Sequence, residues 1–281
     1  MRQLHNIENI LISLSVENKY EPTAAISYGL SLAKLAGARV TVYAPSLKLT
    51  LPHSFVSGIV AGIAASENRH VAELARTVVE RISEQAGAIG VAASVSSSQL
   101  KRLKLVEEFT KENRLHDLCI LDSESEAIDI DRDLIEAALL DSGRPVIVVP
   151  PGFTSFSARH VVVAWDGSSK AARALFDALP ILRIAEMVEV IQVEGEKDLS
   201  GSIPGSMLVD HLLSHKVKII AKTILADNGD VPQAFRQYAE RSAVDLIVMG
   251  GFAHSRIRQL ILGGVTQALL HHCNVPLFLS H

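Results

Sequence analysis

One feature constrains this chain more than any other: a pattern of short β-branched runs alternating with helical stretches stops near residue 150 and then starts again. The first series of runs is Asn9–Ser15, Arg39–Ala44, Val91–Ser96, Asp117–Leu121 and Pro145–Val149. Amphipathic stretches near Thr23–Ala36, Phe55–Ala86, Lys104–Arg114 and Arg132–Leu140 separate them. Such alternation predicts a parallel sheet with helices on both faces. Runs such as Val146-Ile147-Val148-Val149 are apolar at every position, as a strand buried on both faces requires. The cluster Pro150-Pro151-Gly152-Phe153-Thr154-Ser155 then reads as a linker. Beyond it the runs resume at His160–Trp165, Val188–Val193, Lys216–Thr223, Val244–Met249 and Pro276–Ser280. Helical stretches fall near Ser169–Arg183, Met207–His215, Val231–Arg241 and Ile257–His271.

The two series match in order and partly in letters. Asp117-Leu118-Cys119-Ile120-Leu121 parallels Asp245-Leu246-Ile247-Val248-Met249. Leu139-Leu140 before Pro145-Val146-Ile147-Val148 parallels Leu269-Leu270 before Pro276-Leu277-Phe278-Leu279. A repeat of this length is a domain duplication rather than a short-period solenoid. The 281 residues therefore divide into two domains, 1–152 and 153–281. The main asymmetry is the long helix Phe55–Ala86 of the first domain. Its stripe, including Ile59 and Ile63, is expected to pack on the second domain or on another chain.

Function classes narrow quickly. A net charge of −4 carries no basic excess, which argues against nucleic acid and acidic lipid as partners. No window holds about 18 uncharged apolar residues, and the apolar run Ile10–Val16 reads as a first strand rather than a signal peptide, so no membrane span and a cytoplasmic location are expected. Cys119 and Cys273 match no CxxC spacing and read as reduced, buried thiols. There is no P-loop, dinucleotide fingerprint or nucleophile elbow, so no catalytic residue is assigned and enzymatic activity stays open. His211 and His215 share a helix face at i, i+4, but no third ligand or HExxH glutamate accompanies them. The histidines of His271-His272-Cys273 are as well explained by a helix C-terminus, so no metal site is assigned.

The residues that point to a ligand lie in the second domain. Trp165-Asp166-Gly167-Ser168-Ser169 ends its first strand and places an acceptor over the carboxyl edge of the sheet. Ser168 or Ser169 is placed to cap the next helix. Met249-Gly250-Gly251-Phe252-Ala253 ends its fourth strand, and after nine intervening residues comes Gly263-Gly264-Val265-Thr266. Glycines there let backbone amides approach a phosphate. Strands one and four flank the point where a doubly wound sheet changes direction, which is where such folds bind ligands.

On these residues the chain resembles a tandem universal stress protein of the UspA type, in both halves. Met249–Leu270 resembles the family's G-x2-G-x9-G-(S/T) loop, and Val161–Ser169 its strand-one acidic motif. The resemblance implies two doubly wound five-stranded parallel-sheet domains of adenine nucleotide α-hydrolase-like topology, paired with each other through their last strands. It further implies a stress-response role and ATP, with Mg²⁺ accompanying it, or a related adenine nucleotide as ligand. The alternative is a nucleotide-free interaction protein of the same fold. Carried over residue by residue, Asp166 matches the acidic position near adenine and ribose, and Val193 the adenine contact. Gly250 and Gly263 match loop glycines, Val265 follows the loop, and Arg256 or Arg258 would face phosphate. Two positions depart: Ala253 replaces the second glycine and Gly264 the hydroxyl residue. One chain already holds two paired domains, so a monomer and a homodimer of tandems are both open.

The same place in the first domain differs. Its first strand ends Leu14-Ser15-Val16-Glu17, with no acid in register with Asp166. Its fourth strand ends in Asp122–Asp133, a window with six acids, one base and no glycine. Such charge repels a triphosphate within a Debye length of about 8–10 Å. A solvated helix entry is expected there, and no nucleotide site.

Overall fold

The computed structural model describes residues 4–14, 23–50, 58–124, 129–194, 203–251, 264–272 and 274–281. Its strands are β1 (Asn9–Ser13), β2 (Arg39–Leu47), β3 (Ala93–Leu100), β4 (Leu118–Asp122), β5 (Val146–Val149), β6 (His160–Ala164), β7 (Met187–Glu194), β8 (Ile220–Leu225), β9 (Leu246–Gly250) and β10 (Leu277–Ser280). They form one sheet in the order β3-β2-β1-β4-β5-β10-β9-β6-β7-β8. Each half runs 3-2-1-4-5 and is parallel throughout; the halves join through antiparallel pairing of β5 with β10, Phe278 opposite Ile147. All four residues of each joining strand are buried. The continuous apolar runs thus serve a seam with one parallel and one antiparallel neighbour. Pairing through the last strands is as the family resemblance implied. Because the seam is antiparallel, the carboxyl edges of the two half-sheets face opposite ways.

The helices are α1 (Ala24–Ala36), α2 (Gly58–Ile89), α3 (Arg102–Asn113), α4 (Asp129–Leu140), α5 (Ser169–Asp177), α6 (Leu179–Leu182), α7 (Leu208–Ser214), α8 (Val231–Arg241) and α9 (Gly264–His272). They cover both faces, and each face carries one apolar layer that runs through both halves. Two expectations shift. The stretch Ser169–Arg183 divides at Ala178, because Pro180 has no N–H to donate to Phe176. The strand expected at Lys216–Thr223 begins only at Ile220, because Lys216 adopts φ 65°, outside strand geometry. Among the described residues helix α2 packs mainly on β2, β3 and α1 of its own half and leaves Ile63 65% exposed, while the Ile59 side chain lies outside the described residues.

Repeated letters in the two halves mark repeated hydrogen bonds. Asp117 Oδ2 accepts from Asn9 N at 3.0 Å, and Asp245 Oδ2 accepts from His160 N at 2.8 Å. Each aspartate thereby fastens the start of strand one to the start of strand four. Likewise Cys119 N donates to Pro145 O and Ile247 N to Pro276 O, both at 3.0 Å. The linker is held as well. Phe156 N donates to Ser31 Oγ at 3.2 Å, and the Phe156 ring meets Tyr28 edge-on at 5.5 Å. Among the described residues no helix is long and apolar enough to cross a membrane.

Candidate functional site

The carboxyl edge of the second half is built by the ends of β6, β7 and β9, which are neighbours in the sheet. Asp166 follows β6. Its Oδ1 accepts from Ser168 N at 2.9 Å, and Gly167 between them takes φ 75°, a left-handed turn that glycine adopts without strain. Ser168 Oγ then accepts from Ala171 N at 3.1 Å and caps α5. The acid is therefore held by its own turn at the lip of the crevice. Val193, 9% exposed, lies near the end of β7. Trp165 floors this side, donating Nε1–H to Ile203 O at 2.7 Å.

Gly250 ends β9 directly against α5. A Cβ there would stand 2.6 Å from Lys170 C and 2.7 Å from Ala171 N, so the missing side chain is what lets strand and helix meet. Gly251 is tight for another reason: its Cβ would stand 2.6 Å from Leu139 Cδ2, on α4 of the first half. Gly264 opens α9, and a Cβ on it would meet none of the described residues within 4 Å. By the β9–α9–β10 crossover, this helix start lies over the same edge. Val265 is half-buried beside it. The structure thus brings Asp166, Val193, Gly250, Gly264 and Val265 to one edge; Ala253, Arg256, Arg258 and Gly263 lie outside the described residues.

Residues 157–281 match the model of the universal stress protein family. The second half is a universal stress protein domain. Over 133 residues the chain is 26% identical to universal stress protein Slr1230 of Synechocystis sp., a match covering 47% of this chain and 45% of that relative. The chain thus spans about half the length of the curated relative it matches. Among solved structures, a universal stress protein from Archaeoglobus fulgidus DSM 4304 superposes with a TM-score of 0.70 at 17% identity, covering 96% of this chain and 97% of that one. A functionally unknown protein from Pseudomonas aeruginosa PAO1 superposes with a TM-score of 0.56 at 12% identity, covering 98% and 92%. These likenesses extend the fold to the first half.

The first half builds the end of its fourth strand differently. Asp122 ends β4 as Gly250 ends β9, and its Oδ1 accepts from Ala25 N at 3.0 Å, in the first turn of α1. A carboxylate therefore occupies the junction that the universal stress protein domain leaves bare. The helix entry expected to be solvated falls largely on residues 125–128, outside the described residues. Asp131 is 6% exposed, and Glu124 is buried with Oε2 2.9 Å from His271 Nδ1 of α9. Glu124 thus meets α9 of the second half, while Asp133 stays partly exposed and pairs with Arg102.

Sequence reasoning missed a buried network in the universal stress protein domain. Glu189, 2% exposed, receives Lys222 Nζ at 2.5 Å on Oε1. Its Oε2 meets His160 Nε2 at 2.8 Å and Tyr238 OH at 2.6 Å. Burial alone would raise the Glu189 carboxyl, but the hydrogen bonds from Lys222, Tyr238 and His160 outweigh it and hold the group below the usual carboxylate range. Lys222 is held above the usual range, first by its bond to Glu189. The signal was legible: Glu189 is an acid in an apolar strand that starts at Met187. The network lies at the amino end of the strands, away from the crevice, and serves packing. Among the described residues no three His, Cys, Asp or Glu side chains are grouped to hold a metal. His211 and His215 stack edge-on at 5.0 Å. Cys119 is a free, buried thiol, which burial pushes up; Cys273 lies outside the described residues.

Proposed function

We propose that this protein is a cytoplasmic stress-response protein built as a tandem duplicate, residues 1–152 and 153–281, whose second half binds ATP or a related adenine nucleotide. One observation carries the reading: by the strand and helix order, Asp166, Val193 and the N-terminus of α9 fall at one edge, whereas the first half places the Asp122 carboxylate at the junction equivalent to Gly250. The space at Gly264 fits the group, since no described residue lies within 4 Å of a Cβ placed there. Asp166 is placed to accept from ribose hydroxyls or the adenine amine, Val193 to pack on the base, and the α9 amides to meet phosphate. Bound ATP would bring Mg²⁺ as its counter-ion. No base or nucleophile is assigned, so the reading is binding rather than turnover.

The test is equilibrium dialysis of the whole chain against labelled ATP, with identification of any nucleotide released on heating. Asp166→Ala should weaken binding about tenfold or more, or roughly 1.4 kcal/mol. Millimolar or absent binding by the unaltered protein would sink the proposal. A nucleotide-free interaction protein is the competing reading. It is favoured by the fact that packing alone accounts for Gly250 and Gly251.

Gly264→Ser restores the hydroxyl of the family pattern at a position with room for it. A hydrogen bond to charged phosphate contributes about 1.5–3 kcal/mol, so ATP should bind roughly tenfold more tightly by calorimetry. Unchanged affinity in a folded variant would mean that α9 does not face phosphate.

A further inference from the structure

A pocket of about 350 Å³ opens at the amino edge of the first half, between the chain that enters β1 and the end of α1. Its apolar base is made by Leu4, 1% exposed, and Ile7, 6% exposed. Each wall carries one left-handed residue, Asn6 and Gly37, both at φ 68°. Such a φ is uncommon for any residue but glycine. Gly37 closes α1, and its N–H donates back to Ala33 O. Ala36 and Gly37 both line the pocket, so one wall is the carbonyl end of a helix, where the backbone carries partial negative charge.

Two opposite side-chain charges, Glu8 and Arg39, complete the lining. Their backbones are joined, Arg39 N donating to Glu8 O at 2.9 Å. Glu8 N is held in turn by Asp117 Oδ2 at 2.9 Å. Arg39 Nη2 donates to Asn9 Oδ1 at 3.2 Å, which orients the guanidinium and leaves other N–H groups for a ligand. Among the described residues the Glu8 carboxylate is in ion-pair contact with no cation, and Arg39 with no carboxylate, so the two do not pair with each other. The Asp117 carboxylate beside them is engaged by the amides of Glu8 and Asn9. A simple anion drawn to Arg39 would be repelled by Glu8, and a simple amine drawn to Glu8 would be repelled by Arg39. A molecule that carries both charges on neighbouring atoms satisfies both groups at once. The volume stands at the small end of ligand pockets, which run from about 300 Å³ upward.

We infer that this pocket binds a small zwitterion of the α-amino acid class, with its carboxylate on Arg39 and its ammonium on Glu8 and the carbonyl end of α1. The Asn6 amide, which can donate and accept, stands at the rim for either group. Strands β4, β5 and β10 separate the pocket from β9, so the inference is independent of the nucleotide reading.

The experiment titrates glycine, L-alanine and L-leucine into the whole chain and follows the Asn6 and Gly37 amides and the His5 ring by NMR. At least one of these amino acids should give saturable shifts confined to the pocket. Blocking one charge, as in the N-acetyl derivative or the amide of the same amino acid, should weaken binding about tenfold or more. Glu8→Gln and Arg39→Gln should each cost a similar factor, and Arg39→Lys, which keeps the charge but not the fork, should retain part of the affinity. Both side chains are exposed, so these variants should melt as the parent does. The absence of saturable shifts with all of these amino acids in the parent overturns the inference. Equal binding of the charged and blocked forms overturns it as well, and so does unaltered affinity in either glutamine variant.

Discussion

Glu189→Ala is expected to destabilise the protein by about 3–5 kcal/mol, the cost of removing one partner from a buried ionic network. The carboxylate is the acid that Lys222, His160 and Tyr238 share. Lys222 keeps 43% of its side chain exposed and can turn to water. The loss therefore falls on His160, 6% exposed, and on the Tyr238 hydroxyl. His160 Nδ1 is already engaged with Ser242 O at 2.9 Å, so the ring cannot swing away to find a new partner. Urea unfolding should show a lower midpoint with an unchanged slope. A loss below about 1 kcal/mol would mean that the network contributes little beyond filling space.

The same carboxylate ties stability to pH. Its folded-state value is depressed, so its contribution is fully present above the ordinary glutamate value of about 4.3. That contribution is lost as pH falls through the lower, folded value. The parent protein should lose stability in this acid window. Glu189→Gln, which cannot ionise, should lack that part of the profile while being less stable at neutral pH.

The second large effect is expected from Gly250→Ala, at about 1–3 kcal/mol. The new methyl group would meet backbone atoms of Lys170 and Ala171 at 2.6 and 2.7 Å, and backbone inside a capped helix turn has no rotamer to change. Helix α5 must move off β9, taking Asp166 and its turn with it. Thermal melts should record the loss, and on the proposed nucleotide reading ATP affinity should fall in the same variant. Gly251→Ala is the control. Its new methyl group meets Leu139 Cδ2 at 2.6 Å, the far end of a flexible side chain, so a smaller loss is expected. Equal losses at the two positions would show that α5 yields as readily as a leucine rotamer.

Much of the fold is legible in the amino-acid sequence. The alternation of apolar runs and helical stretches, the restart after Pro150-Pro151 and the doubled Asp-Leu at 117 and 245 all correspond to observed elements. The doubled aspartate also acquires a reason: each one binds the amide that begins strand one of its half. Departures fall where one residue overrides a periodic pattern, as at Pro180 and Lys216. In the candidate site the acid after β6 and its helix cap are readable because an Asx turn and a serine cap lie within three residues of each other. Gly250 and Gly251 read as room for phosphate, and their nearest constraint proves to be room for α5 and Leu139.

What the sequence determined by itself was the repeated strand and helix order. Helix and strand periods are local, and turn and cap residues act over a few positions. Tertiary structure alone decided which partners meet at the strand ends. Asp122 reaches Ala25 across 97 positions, and Lys170 reaches His281 across 111. Packing chooses such partners only after the sheet has assembled, and nothing in the local pattern distinguishes an acid that faces water from one that meets a helix amide.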